Sequence, residues 1–170
     1  LIGTQTVTSG SNRAAISLGV NGATTSIVAT NSGGGIQLLG SSTHTSLSLE
    51  GATNILANGG RLRLVGSRQA GASNNSLYMA NGDNVWIGSR AGTAITASSS
   101  ALLMEYDTFN WSGRPNIATT GQVTVQSNAA GFNQAVNSSF WRWNQNGQII
   151  SGLTIGKPSN TSQAVNLDGT

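Results

Sequence analysis

Short apolar segments return at a nearly constant interval, and this repeat restricts the possible folds more than any other feature of the chain. Ile16 is followed by Ile36 and then by Ile55, each time after a step of about 20 residues. An interleaved series runs from Ile27 to Leu47 with the same step. Two series with one shared step predict strands that stack on equivalent strands of the next coil. We therefore predict an all-β fold, a parallel β-helix (β-solenoid) with coils of about 20 residues.

The segments between the turns alternate in polarity, as expected of strands with one buried face. In the segment RLRLV, the pattern places Leu62 and Leu64 inside and Arg61 and Arg63 outside. Two competing folds also fit short strands with frequent turns. They are an antiparallel β-sandwich and a trimeric fibre of entwined chains. A sandwich does not by itself require a single recurring step.

The charge content is low, and a stacked fold accounts for it. Only 8% of the residues are charged, and like charges at equivalent positions of neighbouring coils would repel each other. The seven Arg and one Lys are spread along the chain without a basic block, so we expect no nucleic-acid partner. No apolar run approaches the length that a membrane-spanning helix needs, so we expect no membrane insertion. The chain has no cysteine, which excludes disulfides and thiolate metal sites.

Most of the aromatic residues are concentrated in one region. We interpret residues 1–170 as a single β-helix segment of a longer chain, with an aromatic-rich insertion region at 106–146. Within it, Trp111, Trp141 and Trp143, together with Arg142, form a candidate carbohydrate-stacking surface. The competing interpretation is structural, with the rings closing over one face of a coil. Trp141 and Trp143 alternate with Arg142, so both rings are expected on one face of an extended run.

The stretch GQIISGLTIGKPSNTSQAVNL at residues 147–167 resembles repeats of filamentous-haemagglutinin-like exoproteins, which bacteria secrete through two-partner systems. The resemblance is specific over residues 121–167 and compositional elsewhere. It implies a right-handed β-helix, export to the bacterial cell surface or beyond it, and a role in adhesion or in an extracellular fibre. The motif residues are Gly152, Leu153, Thr154, Ile155, Gly156, Lys157, Asn160 and Thr161.

Catalytic constellations are scarce in this sequence. His44 is the only histidine and stands among Ser and Thr residues, which favours an ordinary surface side chain over a catalytic one. Glu105 and Asp107 are two positions apart, and on a strand they would share a face. They are the weak basis for two alternatives, a polysaccharide-degrading carboxylate pair and a calcium site. We predict no catalytic residue, no metal ligand and no cofactor.

The predicted function is structural. We expect a β-helical segment of a large secreted filamentous adhesin or extracellular fibre, and not an enzyme. Its expected partners are neighbouring β-helical segments or copies of itself, with a cell-surface glycan or receptor as a further partner. The main alternative is a carbohydrate-binding module on the same scaffold, and a polysaccharide-degrading enzyme is the less favoured one.

Overall fold

The strands follow one another around a common axis. The computed structural model describes residues 2–5, 14–20, 23–69, 75–80, 82–89, 100–129, 131–157 and 165–166. Within these residues the strands are β1 Ile2–Gln5, β2 Ala14–Leu18, β3 Thr25–Val28, β4 Gly34–Ser42, β5 Thr45–Glu50, β6 Thr53–Ala57, β7 Gly59–Arg68, β8 Leu77–Ala80, β9 Trp86–Ser89, β10 Leu102–Glu105, β11 Phe109–Trp111, β12 Asn116–Ala118, β13 Gln122–Gln126, β14 Val136–Asn137, β15 Gly152–Ile155 and β16 Val165–Asn166.

Helix is almost absent from the described part of the chain. The helical elements there are 3-10 turns at Gly82–Asn84, Ser138–Phe140 and Gln145–Gly147. Such short turns connect strands and do not form a packing layer of their own. No helix among the described residues has the length and hydropathy that a membrane span requires.

Three parallel sheets form the walls of a solenoid. The first sheet, sheet A, has the order β1-β4-β7-β10-β13-β15. Sheet B has the order β11-β8-β5-β2, and sheet C has the order β12-β9-β6-β3. From β1 to β12, each coil contributes one strand to each sheet, so a strand pairs with the strands three before and three after it. All strand pairs described are parallel. The predicted parallel β-solenoid is confirmed, with about four turns, and an antiparallel sandwich is excluded.

The predicted coil length is wrong, because a coil holds three strands. Ile16 pairs with Leu47, and Leu47 pairs with Leu77, so the true repeat is longer than the step between successive isoleucines. Ile16, Ile36 and Ile55 are therefore not stacked on one another. Ile16 lies in β2, Ile36 in β4 and Ile55 in β6, so each belongs to a different sheet around the same core. The step seen in the sequence thus covers two of the three strands of a coil.

Turns of unequal length change the repeat from coil to coil. In sheet A, Leu102 pairs with Leu62 on one side and with Val123 on the other. The chain between Leu62 and Leu102 is nearly twice as long as the chain between Leu102 and Val123. The inward-facing side chains still align, because backbone pairing fixes the register of each strand and the turns absorb the difference.

Rows of apolar side chains run along the axis and fill the interior. The clearest row lies in sheet C, where parallel pairing aligns four isoleucines. The last three of them are fully buried, and burial of each such side chain stabilises the fold by about 1.5–3 kcal/mol. The positions of sheet A alternate as predicted, since Leu62 and Leu64 are buried and Arg61 is exposed. The isoleucines of the row are Ile27, Ile55, Ile87 and Ile117.

A glycine corner closes the second and third coils where sheet A meets sheet B. Gly40 and Gly66 are register partners in β4 and β7. A Cβ atom at either position would overlap a backbone carbonyl oxygen, that of Ser46 or that of Ser76. Glu105 pairs with Val65 in the next coil, so Tyr106 takes the place of Gly66 there. In the fourth coil a large aromatic side chain therefore stands where the two preceding coils have glycine, and the rings of Phe109, Phe132 and Trp141 pack against it.

Candidate functional site

The aromatic residues of the fourth coil and the segment after it form one continuous cluster. The ring of Phe109 stacks on that of Trp141, with centroids 4.7 Å apart and planes 11° apart, and on that of Trp111 at 5.2 Å and 9°. The ring centroids of Phe140 and Trp111 are 4.0 Å apart, and those of Trp143 and Trp141 are 6.1 Å apart. The cluster comprises Tyr106, Phe109, Trp111, Phe132, Phe140, Trp141 and Trp143.

The sheets explain why these rings meet. β11 pairs with β8, so Phe109 continues the interior row of Leu77 and Trp111 that of Met79. Larger side chains thus follow smaller ones in the same rows. The region 106–146 also contains β12 and β13, which extend sheets C and A.

Burial limits what the three tryptophans can contact from outside. Trp141 is 2% exposed and lies within the hydrophobic core. Trp111 and Trp143 are half-buried, and the indole N–H of Trp143 donates a 2.7 Å hydrogen bond to the carbonyl oxygen of Ser138. A sugar could contact Trp111 and Trp143, which are partly exposed, but stacking on Trp141 would require the cluster to open.

Tyr106 lies at the centre of this cluster. Its side chain is fully buried, and its hydroxyl has no hydrogen-bond partner among the described residues. Burial raises the pKa of the Tyr106 phenol well above its usual range, because the phenolate would lose its hydration. Tyr106 therefore remains a neutral packing residue at physiological pH.

Arg142 fixes the segment that carries the tryptophans to the preceding coil. Its guanidinium Nη2 lies 2.7 Å from Oδ1 of Asp83. Its backbone pairs with Asn116 in a parallel bridge, and its carbonyl oxygen accepts a 2.8 Å hydrogen bond from the amide of Ile117. The same Asp83 oxygen also accepts a bond from the amide of Arg114. These contacts assign Arg142 a positioning role between coils.

The motif that resembles the exoprotein repeats occupies β15, the last strand of sheet A. Leu153 continues the interior row of Val123, and Thr154 points outward beside Thr124. Leu153 is 36% exposed, whereas Val123 is fully buried. The amide of Gly156 donates a hydrogen bond to the carbonyl oxygen of Val125, and Gly152 and Lys157 are half-buried. Asn160 and Thr161 lie outside the described residues.

Glu105 and Asp107, the two carboxylates considered as a pair from the sequence, bind different partners. Glu105 accepts hydrogen bonds from Arg63 at 2.8 Å and from Gln126 at 2.7 Å. Asp107 is buried, and its Oδ1 accepts a 2.7 Å bond from the amide of Ala129. Both carboxylates therefore join neighbouring coils. Across the described residues, no three His, Cys, Asp or Glu side chains come together as metal ligands would.

His44 lies in the turn between β4 and β5. It is half-buried, and its amide donates a 2.9 Å hydrogen bond to the hydroxyl of Ser42. This bond fixes the turn that follows the glycine corner. The backbone of His44 therefore has a local structural role.

A polar groove on the outer side of sheet B was not predicted from the sequence. It has a volume of about 350 Å³ and crosses three coils. Ser17, Ser48 and Tyr78 form one row across β2, β5 and β8, in which Ser17 is exposed, Tyr78 is half-buried and Ser48 is buried. The hydroxyl of Ser48 donates a 2.6 Å hydrogen bond to Glu50. Among the described residues, Ala14, Thr45 and Asn75 also line the groove, near the strand starts.

The fold and these sites define a parallel β-solenoid module with an aromatic-filled fourth coil. Comparison of the chain with models of known protein families, with curated proteins and with solved structures found no match. The class therefore rests on the strand pairing and on the interior rows.

Proposed function

We propose that this chain is a structural β-helical segment of a large secreted filamentous adhesin or extracellular fibre at the bacterial cell surface. The observation that carries the proposal is the open interior row at β15, among the described residues. Leu153 and Ile155 repeat the inward positions of Val123 and Val125, yet Leu153 is 36% exposed. Another coil of the same kind would bury this row and pair with the outer edge of the strand.

Extension by stacking is what a filament requires. Each coil adds about 4.8 Å along the axis through backbone hydrogen bonds, and the apolar rows need no new type of side chain to continue. The expected partners are neighbouring β-helical segments of a longer chain or further copies of this one. This role needs no catalysis, and Glu105 and Asp107 already bind Arg63, Gln126 and Ala129 within the scaffold.

The aromatic cluster serves this role as a stiff joint between coils. Its rings pack side by side across the fourth coil and the segment after it, and Trp141 is buried among them. A carbohydrate-binding module centred on Trp111, Trp141 and Trp143 is the second candidate. The partial exposure of Trp111 and Trp143 is what supports it.

Immunogold labelling of intact producing cells with antibodies against this segment tests the main proposal. We expect gold particles along fibres that extend from the cell surface. Labelling confined to the cell interior after sectioning would overturn the secreted, filamentous role.

Sedimentation velocity tests the stacking step separately. The purified segment should associate as its concentration rises, and Leu153→Lys should abolish the association by placing a charge in the open row. Thr154→Lys is the matched control, because Thr154 lies on the outer face of the same strand. A segment that stays monomeric at every concentration would contradict stacking between copies.

A further inference from the structure

We propose that the outer groove of sheet B, lined by Ser17, Thr45, Ser48, Glu50, Asn75 and Tyr78, binds a short neutral oligosaccharide. The groove lies on the side of the solenoid, so it stays accessible when other coils cover both ends. The proposal is thus independent of the fibre role.

The shape of the groove suits an extended ligand that runs along the axis. Its residues come from three successive coils, represented by Ser17, Ser48 and Tyr78. Because adjacent parallel strands are about 4.8 Å apart, the lining spans about 10 Å along the solenoid. A volume near 350 Å³ is at the lower end of the range for small-molecule sites.

The chemistry of the lining matches a sugar more closely than other ligands. Tyr78 is half-buried in the same row as Ser17 and Ser48 and can offer a ring face to the C–H face of a pyranose. Hydroxyl, amide and carboxylate groups surround it and can both donate to and accept from sugar hydroxyls. A peptide side chain would find few apolar contacts here, since Ala14 and Tyr78 are the only apolar side chains among the described residues of the lining.

The charge of the described lining residues disfavours anionic ligands. Among the described residues of the lining, Glu50 is the single ionisable group apart from Tyr78, and no cation in the described part of the chain forms an ion pair with it. Ser48 already donates to Oε1 of Glu50 at 2.6 Å, which holds the carboxylate at the groove wall. A carboxylate held in this way accepts strong hydrogen bonds from hydroxyl donors and repels phosphates and uronates.

NMR titration of the intact segment with neutral gluco-, galacto- and manno-oligosaccharides tests the proposal. With at least one of these sugars, we expect shifts in the amide signals of Ser48, Glu50 and Tyr78. Tyr78→Ala should weaken binding about tenfold, whereas Tyr78→Phe, which keeps the ring face, should bind as the wild type does. Glu50→Gln should also weaken binding, because the charge-assisted bonds are lost.

Asn110→Ala is the matched control for these variants. Asn110 is the exposed partner of Tyr78 in the same row, one coil along and outside the groove. Its replacement should leave binding unchanged. Each variant's amide spectrum reports whether the solenoid remains folded.

Two results would overturn the proposal. One is the absence of amide shifts with every sugar in the panel. The other is binding that survives Tyr78→Ala, and if that binding is lost with Trp143→Ala, the sugar belongs to the aromatic cluster instead.

Discussion

Nη2 of Arg63 lies 2.8 Å from Oε2 of Glu105, and this ion pair links β7 to β10 across the outer face of sheet A. The other oxygen of Glu105 accepts a 2.7 Å hydrogen bond from Gln126 on β13. One carboxylate therefore connects three successive coils. The stacked architecture places these side chains together although Arg63 and Gln126 are far apart in the chain.

Replacing the central carboxylate should weaken the solenoid in a salt-dependent way. We expect Glu105→Gln to lower the free energy of unfolding by about 1 kcal/mol at low ionic strength. The loss should be smaller at high salt, since the Arg63 side chain is 38% exposed and the pair is screened. Urea unfolding at two salt concentrations measures it, with the exposed Arg61→Gln as control. Equal losses at both concentrations would contradict a screened ion pair at this position.

The glycine corner should not tolerate a side chain. Gly66→Ala would place a Cβ against the carbonyl oxygen of Ser76, and overpacking of this kind costs about 1–3 kcal/mol. Gly147→Ala is the comparison, because Gly147 has no atom near its Cβ position and its positive φ of 69° leaves backbone strain as the only cost. Thermal unfolding should rank Gly66→Ala as the more damaging change. The reverse ranking would contradict the close approach of sheets A and B.

The buried hydroxyl of Tyr106 should not contribute to stability. Tyr106→Phe removes a polar atom that lacks a partner among the described residues, so we expect stability to rise by about 1 kcal/mol. Tyr106→Ala should cost about 3–5 kcal/mol, because the aromatic core loses its central ring. Denaturant unfolding at neutral pH measures both. A destabilised Phe variant would reveal a hydrogen bond to the hydroxyl.

Tyr106 should also make the free energy of unfolding depend on pH in the alkaline range. Burial raises the pKa of Tyr106 in the folded protein, whereas the unfolded chain releases this proton near pH 10. Below about pH 10 the phenol is protonated in both states, so it causes no pH dependence of the free energy of unfolding. Above that pH the unfolded chain loses the proton first, and the free energy of unfolding falls because the unfolded state then binds fewer protons. Tyr106→Phe should unfold less readily than the wild type in this range. If the free energy of unfolding falls with pH equally in the wild type and in Tyr106→Phe, Tyr106 is not the cause.

The isoleucine row of sheet C should show a gradient of sensitivity. Ile87→Ala removes a fully buried side chain between two other isoleucines, and we expect a loss of about 2–5 kcal/mol. Ile27 is only half-buried at the start of the row, so Ile27→Ala should cost less. Ile149 is 71% exposed, and Ile149→Ala should stay within about 0.5 kcal/mol. Equal losses at Ile87 and Ile149 would contradict the interior row.

The fold class was predictable because strand alternation and turn residues are local signals. Leu62 and Leu64 face inward as their spacing indicates. The coil length was not predictable from the same signals, since apolar positions recur on all three walls and Ile36 looks like the successor of Ile16. Only backbone pairing shows that Leu47 stacks on Ile16.

The candidate sites depended on contacts that a linear reading does not contain. The concentration of aromatic residues indicated either a structural cluster or a carbohydrate-stacking surface, but not that Trp141 would be buried. The groove was missed because Glu50 and Tyr78 belong to different coils. Their proximity follows from the register of the paired strands, which the spacing in the sequence does not reveal.

Disulfide cross-linking tests the three-stranded coil most directly, since the native chain has no cysteine. Ser17 and Ser48 are register partners on adjacent strands of sheet B, and neighbouring parallel strands are close enough for a disulfide. Ser17 and Gln37 are separated by the step that recurs in the sequence, but they lie on different sheets. Under mild oxidation, Ser17→Cys/Ser48→Cys should form an intramolecular disulfide and Ser17→Cys/Gln37→Cys should not. A cross-link in the second pair and none in the first would contradict the solenoid described here.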